Sequence, residues 1–274
     1  MKLRVATCLT LPEVDADEAP LMAALAAAGI DAALVAWEDP RADWDARVPT
    51  IIRSTWNYAL QVDAFIAWAD RAAAAAPLLN PPAIVRGNVR KRYLLELAAR
   101  GVPVVPTTLV ERGGTLAVPG ERVVIKPEIG AGSLDTKVFA AGDRAALDHL
   151  AMITARGAAL VQPYVASVDD YGERSLIWID GELTHSIRKS PRFSGDAEQI
   201  DGPFPIEPDE RAVAEAALAP YTDRILYGRC DLARDASGQP MIMELELVEP
   251  SLFFAKQPAA LDRYIDGLKK RLSW

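Results

Sequence analysis

Three carboxylates on two neighbouring segments near the C-terminus constrain the fold of this chain more than any other feature. The segments on either side of residues 235–240 alternate apolar and polar side chains, and the stretch between them is typical of a turn. Glu244 and Glu246 are two positions apart and must face the same side of a strand, and a hairpin brings Asp231 to the same patch. Arg229 lies on the Asp231 face and adds a fixed positive charge. Clustered carboxylates repel one another unless cations bind, and oxygen ligands without histidine or cysteine indicate magnesium.

Charge and composition exclude several classes of protein. The net charge of −8 and an isoelectric point near 5.0 argue against nucleic-acid binding, because a phosphate backbone requires a basic face. Cys8 and Cys230 lie in apolar runs, which predicts buried free thiols, and His149 and His185 are too few for a zinc site. The sequence contains no apolar run of about 18 residues, and its first residues do not resemble a signal peptide. We therefore expect a cytoplasmic enzyme without a membrane span.

The first third of the chain alternates strands and helices. This βαβ rhythm predicts a small open parallel sheet. Ligands of such sheets bind at the carboxyl ends of the strands, where the polar and aromatic stretch 53–58 would lie. The predicted strands cover residues 3–9, 31–36 and 50–54, and the predicted helices cover residues 19–28 and 62–76.

The last third of the chain has the pattern of antiparallel structure. Asp180-Gly181 is a strong turn signal between two alternating segments, and residues 189–208 read as a polar loop. Residues 190–206 of this loop are a candidate lid that excludes water from a reaction. Beyond the first third, helices are predicted at 89–100, 143–156, 209–219 and 261–272, and extended segments at 102–110, 121–127, 158–161, 174–179 and 183–188.

A lysine followed by a glycine loop is the second feature with chemical content. Lys126 ends a buried-type strand, and Gly130, Gly132 and Ser133 follow it, so their backbone amides could surround a phosphate. The lysine precedes the glycines, which excludes a Walker P-loop, and a third glycine is missing, which excludes a dinucleotide fingerprint. By itself this pattern fits a plain surface turn equally well.

The order of these elements along the chain resembles the ATP-grasp enzymes. A lysine strand, a glycine loop, a hinge strand and an arginine hairpin precede Arg229-Cys230-Asp231 and Glu244-Leu245-Glu246. In that family the metal motif usually reads Arg-x-Asp and then Glu-x-Asn, so Glu246 replaces the usual asparagine with another oxygen ligand. The resemblance implies an α/β (α+β) chain in which two lobes clamp ATP. Its parts would be an N-terminal βαβ domain (1–86), a small lobe (87–165) and a C-terminal lobe with the metal site (166–274).

The resemblance also implies roles for individual residues. Two magnesium ions would be held by Asp231, Glu244 and Glu246, and Arg188 and Arg229 would stabilise the reacting groups. The adenine would lie against the hinge at 162–165. For the ribose, Asp169, Asp170 and Glu173 are alternatives. The nucleotide-binding residues would be Lys91, Lys126, Gly130, Gly132, Ser133, Gln162, Tyr164, Val165 and Glu173.

Four stretches give a narrower likeness within this family. Residues 53–58, 172–176, 187–189 and 244–252 resemble the D-cycloserine ligases of antibiotic-producing actinomycetes, which use ATP to close O-ureido-D-serine into a ring. This implies a carboxylate-amine ligase that forms an amide through an acyl phosphate on a small amino-acid-like substrate. The substrate residues would be Arg53, Ser54, Trp56, Tyr58, Lys189 and Ser251.

Simpler interpretations of these residues stay open. Trp56 and Tyr58 could cap the first sheet, Arg188 and Lys189 could form a solvated strand end, and His185 fits a half-buried strand histidine better than a base. Two other functions also stay open, namely a ligase acting on a peptide or protein tail and a non-catalytic ATP-binding regulator. A homodimer is compatible with the sequence.

Overall fold

The computed structural model describes residues 1–117, 121–189 and 199–274. Three sheets follow one another along the described chain. No helix within these ranges is both long enough and apolar enough to cross a membrane.

The first sheet is parallel and has helices on both faces. Its strand order is β2-β1-β3-β4. Leu3 and Val5 of β1 pack with α1, whereas Ala6 packs with Phe65 and Trp68 of α2, since successive side chains of a strand point to opposite faces. The predicted open parallel sheet is confirmed. Its elements are β1 (Lys2–Thr7), α1 (Glu18–Ala27), β2 (Asp31–Ala36), β3 (Thr50–Ile52), α2 (Val62–Ala75) and β4 (Leu78–Leu79).

The second sheet is antiparallel and carries the lysine strand. Its order is β5-β8-β6-β7, and one helix packs on it through Leu150 and Ile153. Strand β7 was not predicted, because its three residues are too few to show a period. The elements are β5 (Thr108–Val110), β6 (Val123–Pro127), β7 (Lys137–Phe139), α5 (Ala145–Thr154) and β8 (Ala159–Pro163).

The third sheet lies between two helical layers and contains the carboxylate hairpin. Its order is β11-β10-β9-β12-β13, all antiparallel. Leu176 and Trp178 of β9 face one core cluster and Ile177 and Ile179 face the other, so both faces of this strand are buried. Its elements are α6 (Ser167–Asp170), β9 (Glu173–Ile179), β10 (Glu182–Lys189), β11 (Ile200–Phe204), α7 (Pro208–Leu218), β12 (Tyr227–Arg234), β13 (Pro240–Glu246) and α8 (Pro258–Leu272).

The single helix predicted at 89–100 is wrong. The chain instead forms α3 (Pro82–Asn88) and α4 (Tyr93–Ala99). Proline at the first turn of α3 starts a helix earlier than the apolar pattern indicates. The second helix is separated because the Lys91 amide donates to the Glu128 carbonyl at 2.9 Å instead of continuing α3.

The polar loop predicted at 189–208 contains a strand. Strand β11 pairs with β10 along Ser186 to Lys189 although its sequence includes Gly202-Pro203. Hydrogen bonding to the edge of β10 therefore determines the conformation of β11, which the local sequence pattern does not predict. Most of the predicted lid, residues 190–198, lies outside the described residues.

Candidate functional site

The hairpin of β12 and β13 brings the predicted carboxylates to one patch. Asp231 is the register partner of Glu244, and Arg229 is the partner of Glu246. On the other side of β12, Ser175 of β9 pairs with Asp231. The predicted hairpin and its register are therefore present in the fold.

Asp231 is almost entirely enclosed by donors. Its side chain is 2% exposed, and Arg229 reaches its two oxygens with Nε at 2.8 Å and Nη2 at 2.9 Å. The Ser175 hydroxyl donates at 2.5 Å and the Lys189 ammonium lies at 3.0 Å. Burial opposes ionisation, but Arg229 and Lys189 outweigh it and hold the pKa of Asp231 well below its usual range. Asp231 is thus an anion with both oxygens engaged.

Glu244 connects the third sheet to the lysine strand. The Lys126 ammonium lies 2.7 Å from Glu244 Oε1, and the carboxylate is 25% exposed. Burial works against the charge, yet Lys126 and then Lys91 lower the pKa of Glu244 to about 2. The second and third sheets therefore meet in this ion pair.

Glu246 is less strongly neutralised than its neighbour. Arg229 Nη2 lies 2.7 Å from Glu246 Oε1, and the carboxylate is 29% exposed. Burial raises the pKa of Glu246, and the negative charges of Asp231 and Glu244 raise it further against the pull of Arg229. A divalent cation near this carboxylate would relieve that repulsion.

Glu173 and Lys189 are register partners at the start of β9 and the end of β10. Their side chains form an ion pair, and Lys189 also contacts Asp231. Burial, and then repulsion from Asp231, raises the pKa of Glu173 to about 7 despite Lys189. In this arrangement Lys189 neutralises two carboxylates of the site.

The donor set fits magnesium through two of its three carboxylates. Magnesium is usually held by one or two carboxylates plus phosphate oxygens rather than by a closed protein cage. Within the described ranges, no group of three or more histidine, cysteine or acidic side chains converges tightly enough to hold a metal ion by itself. Glu244 and Glu246 are partly exposed and each has one oxygen in an ion pair, whereas Asp231 is enclosed.

The glycine loop folds back on the first predicted nucleotide lysine. Lys91 Nζ donates to the Gly130 carbonyl at 2.7 Å. Gly132 and Ser133 have φ of 59° and 60°, a left-handed conformation in which successive amides can point to one side. Glu128, at the start of this loop, is buried and pairs with Arg90 and Arg92 on either side of Lys91.

The predicted adenine segment, residues 162–165, begins in β8 of the second sheet and continues beyond its end. The Gln162 side chain is buried and donates to the Thr107 hydroxyl at 2.9 Å. The Arg122 guanidinium lies 3.6 Å from the centre of the Tyr164 ring, and the Tyr164 hydroxyl donates to Asp169. Val165 follows and is partly exposed. Asp169, one alternative for the ribose, is thus engaged with Tyr164.

The polar and aromatic stretch after β3 reaches the third sheet. Trp56 Nε1 donates to the Glu249 carbonyl at 3.1 Å, and the Tyr58 hydroxyl hydrogen-bonds with the Glu249 carboxyl group. The Tyr58 ring stacks on Phe65, with centroids 5.0 Å apart. The Ser54 hydroxyl pairs with that of Thr7 at 2.9 Å.

Arg53 lies deeper than its predicted substrate role suggests. Its side chain is 2% exposed and pairs with Asp17 at 3.3 Å. The guanidinium also lies over the rings of Tyr227 and Phe254. In this conformation Arg53 is enclosed in the protein, so direct contact with a substrate requires another conformation.

Arg188 and Ser251 lie outside the three-carboxylate cluster. Arg188 is 40% exposed, pairs with Asp201 at 3.2 Å and lies over the Phe204 ring. The Ser251 carbonyl accepts a hydrogen bond from Arg229 Nη1 at 3.2 Å. Both arginines predicted to be catalytic thus belong to the third sheet, but only Arg229 contacts the three-carboxylate cluster in the described structure.

Sequence reasoning missed three polar residues near this site. Ser175 was read only as part of a strand, although a hydroxyl on a strand next to the metal hairpin was a usable signal. Glu249 was seen only within the strand exit, yet burial and the nearby Glu246 raise its pKa to about 8. Apart from its position before α1, nothing in the sequence around Asp17 indicates a role at the site.

The chain matches known proteins over its whole length. Residues 3–80 match the family described as the N-terminal domain of D-cycloserine synthetase DcsG. The sequence is 35% identical to the cycloserine biosynthesis protein DcsG of Streptomyces lavendulae, over 98% of this chain and 97% of that protein. The crystal structure of D-cycloserine synthetase DcsG superposes with a TM-score of 0.90 at 34% identity, covering 99% of this chain and 100% of that one.

More distant structures share the fold. The D-alanine–D-alanine ligase of Bacillus anthracis complexed with ATP superposes with a TM-score of 0.67 at 15% identity, covering 98% of this chain and 96% of that one. A RimK domain protein of the ATP-grasp type from Sphaerobacter thermophilus gives the same score at 18% identity, with 95% and 96% covered. The predicted ATP-grasp fold is confirmed. The chain therefore belongs to the D-cycloserine synthetase DcsG family, and it is an ATP-dependent ligase of the ATP-grasp fold.

Proposed function

We propose that this protein closes the ring of an O-ureido-D-serine-type substrate, forming a cyclic amide in cycloserine biosynthesis. The observation that carries the proposal is the charged cluster at the β12–β13 hairpin, in a chain similar to DcsG along its full length. Lys126, Lys189 and Arg229 surround Asp231, Glu244 and Glu246 there. Such alternating charge suits a reaction between two anions, a phosphate and a carboxylate.

The nucleotide is proposed to lie between the second and third sheets. Lys91 and Lys126 supply cations next to Gly130 and Glu244, and the glycine loop offers backbone amides. The adenine would contact the hinge from Gln162 to Val165. For the ribose, Asp169, Asp170 and Glu173 stay alternatives, since Tyr164 donates to Asp169 and Lys189 pairs with Glu173.

The magnesium ions are proposed to bind at Glu244 and Glu246, with Asp231 supporting them through Arg229. Two ions are proposed, because phosphoryl transfer from ATP often uses two magnesium ions. When bound, they supply charge neutralisation between the two reacting anions. Arg229 then contributes a fixed cation where negative charge develops, and its contacts with Asp231 and Glu246 keep it oriented without reorganisation.

In the proposed reaction, the substrate carboxylate takes the terminal phosphoryl group of ATP and releases ADP. A nitrogen of the same substrate attacks the resulting acyl phosphate, and phosphate leaves. Arg188 is kept as a proposed contact of the transferred group, which requires its side chain to leave Asp201. Trp56, Tyr58 and Ser54 on the first sheet, with Ser251 and Lys189 on the third, are the proposed substrate contacts. A homodimer and a cytoplasmic location remain predictions.

A panel of amino acids that includes O-ureido-D-serine tests the proposal. We expect magnesium-dependent ADP release with that substrate and a product mass that corresponds to ring closure. O-ureido-L-serine is the control for stereochemistry. D-alanine is the control for amide formation without ring closure. ADP release with other amino acids but not with O-ureido-D-serine would leave the ligase activity in place and overturn the proposed substrate.

The Glu244→Gln variant tests the metal assignment. Removing this charge should reduce ADP release at least 100-fold, in the range of losses seen when transition-state stabilisation is removed, while the fold is retained. ADP release and circular dichroism are the measurements. Glu215→Gln, an exposed side chain on α7, is the matched control with unchanged activity. A fully active Glu244→Gln protein would contradict the assignment.

A further inference from the structure

The loop that follows the metal strand is held by a single carboxylate of the first domain. Asp17 accepts hydrogen bonds from the backbone amides of Leu252 at 2.5 Å, Phe253 at 3.1 Å and Phe254 at 2.8 Å. Phe253 has a φ of 53°, and this left-handed residue turns the three amides towards one point. An anion bound by three amides is strongly localised, since each bond is charge-assisted.

Asp17 is itself held in place by a buried cation. It pairs with Arg53 at 3.3 Å, and each side chain is 2% exposed. The Asp17 amide donates to Asp15 Oδ1 at 2.9 Å, which fixes the backbone before α1. Removing one partner from a buried pair is costly, so this arrangement has few alternatives. The burial of Arg53 thus has a structural reason.

A histidine holds the same loop from the opposite side. His185 Nε2 lies 3.1 Å from the Leu252 carbonyl, and Nδ1 lies 2.9 Å from the Thr184 hydroxyl. Burial lowers the pKa of His185 to about 4, so the ring is neutral at physiological pH. A carbonyl can only accept, which assigns the proton of the neutral ring to Nε2, and the Thr184 hydroxyl has both Nδ1 and the Ile177 carbonyl, at 3.2 Å, as acceptors. Leu252 is therefore bonded through both its amide and its carbonyl.

This loop touches the arginine of the reaction cluster at two points. Arg229 Nη1 donates to the Ser251 carbonyl at 3.2 Å, and its guanidinium lies 5.8 Å from the centre of the Phe253 ring. The same guanidinium holds Asp231 and Glu246. Because the Arg229 guanidinium is held on all these sides, a displacement of residues 251–253 would change its position.

We propose that Asp17 is a positioning residue for Arg229, acting through the loop 251–254. This inference rests on the proposed function for the consequence in catalysis, but the structural link stands on its own contacts. Asp17 contacts neither the carboxylate cluster nor the glycine loop in the described structure, and apart from its pair with Arg53 it reaches the site through the loop. Its sequence neighbours give no indication of the role, because the two ends of the contact are 235 positions apart.

The Asp17→Asn variant separates positioning from nucleotide binding. The asparagine side chain has nearly the same size as that of aspartate but carries no charge. Its NH2 group is a donor, so it cannot accept hydrogen bonds from the three backbone amides. We expect kcat to fall about 10- to 100-fold, as for a small misplacement of a reacting group. The dissociation constant of magnesium-ATP, measured by calorimetry, should stay within about twofold, because Lys91 and Lys126 are unaffected. A wild-type kcat in folded Asp17→Asn protein overturns the proposal.

A double-mutant cycle tests whether the effect passes through Arg229. In an Arg229→Lys background, Asp17→Asn should lower kcat less than about threefold, since coupled residues show non-additive losses. Equal losses in both backgrounds overturn the proposed route. Hydrogen exchange of the amides 252–254, followed by mass spectrometry, should become faster in Asp17→Asn, and unchanged exchange contradicts the link.

A second pair of variants protects the test against misfolding. If Asp17→Asn does not fold, His185→Leu removes the opposite contact of the loop and should lower kcat similarly. His185→Gln keeps a donor for the Leu252 carbonyl and should restore most of the activity. Equal kcat values for the two variants overturn the proposal.

The proposed function can fail independently of this link. If the wild-type protein releases no ADP with any substrate of the panel, the function is wrong. Hydrogen exchange and a crystal structure of Asp17→Asn then test the proposed connection between Asp17 and Arg229. A retained contact between Arg229 Nη1 and the Ser251 carbonyl in Asp17→Asn contradicts it.

Discussion

At the scale of single residues, the charge of each acidic side chain in the cluster depends on which cations it reaches. Asp231, with Arg229 and Lys189 on its two oxygens, has a pKa below its usual range. Glu249 is half-buried near Glu246, and burial together with the charge of Glu246 raises its pKa to about 8. The same chemical group is therefore ionised at one position and largely protonated at the other at neutral pH.

The Asp231→Asn variant should be strongly destabilised. It leaves Arg229 and Lys189 in a buried site with one anion fewer, and breaking such a pair costs about 3–5 kcal/mol. Urea unfolding followed by circular dichroism measures the free energy of unfolding. Asp266→Asn, on an exposed position of α8, should change it by less than about 0.5 kcal/mol. Equal stabilities of the two variants would show that the enclosed pair contributes little.

At the scale of elements, the start of β9 depends on a residue without a side chain. Gly172 has a φ of +79°, and a Cβ at this position would lie 2.6 Å from Arg188 Cγ and 3.1 Å from the Lys189 carbonyl. The close approach of β9 and β10 at this end brings Glu173 and Lys189 together. Glycine is required here both by backbone conformation and by space.

The Gly172→Ala variant separates these two requirements when compared with Gly181→Ala. Gly181 also has a positive φ, of +93°, but a Cβ there would lie 3.9 Å from the nearest neighbouring atom, Nη2 of Arg263. Both variants suffer left-handed strain of about 1 kcal/mol. Gly172→Ala should lose about 1–2 kcal/mol more in thermal unfolding, because Arg188 and the Lys189 backbone must shift. Equal losses would show that Arg188 moves aside without cost.

At the scale of the whole molecule, all three sheets contribute charged groups to one region. The first sheet brings Asp17 and Arg53, the second brings Lys126, and the third brings the carboxylate hairpin. His185 illustrates the connection, since this residue of β10 bonds to a loop that is held by the first domain. Stability and the geometry of the site are therefore coupled through contacts between domains.

The stability contributed by His185 should depend on pH. Its pKa is lowered from 6.5 to about 4 in the folded state, so the unfolded chain binds more protons between these values. This contribution is present above pH 6.5 and is lost as the pH falls towards 4. The difference in unfolding free energy between wild type and His185→Gln should shrink by about 2–3 kcal/mol from pH 7 to pH 4.5.

The comparison with His185→Gln is needed because two glutamates act in the opposite direction. The raised pKa values of Glu173 and Glu249 stabilise the folded state at low pH, and that contribution is lost as the pH rises through about 7 and 8. Both glutamates are present in wild type and variant, so their effects cancel in the difference. A pH-independent difference would contradict the buried neutral state of His185.

Local sequence patterns predict much of the fold. The predictions fail where hydrogen bonding to a distant segment determines the conformation. The parallel domain, the Asp180-Gly181 hairpin and the β12–β13 hairpin each have periods and turn residues that act over a few positions. Strand β11 and the break between α3 and α4 do not, because each depends on a partner elsewhere in the chain. The free, buried state of Cys8 and Cys230 was predicted from their apolar surroundings and is confirmed.

The sequence by itself determined that Glu244 and Glu246 share one face of a strand, whereas the tertiary structure decided what each carboxylate touches. Side chains two apart on a strand share a face in any fold, so Glu244 and Glu246 could be paired from their spacing. The partner of Glu244 is Lys126, 118 positions away, and that of the Leu252 amide is Asp17, 235 positions away. Such contacts exist only when three separate sheets have packed together, because no local period or turn specifies them. For that reason the sequence could assign Arg53 a substrate role from its motif but could not show that it is buried beside Asp17.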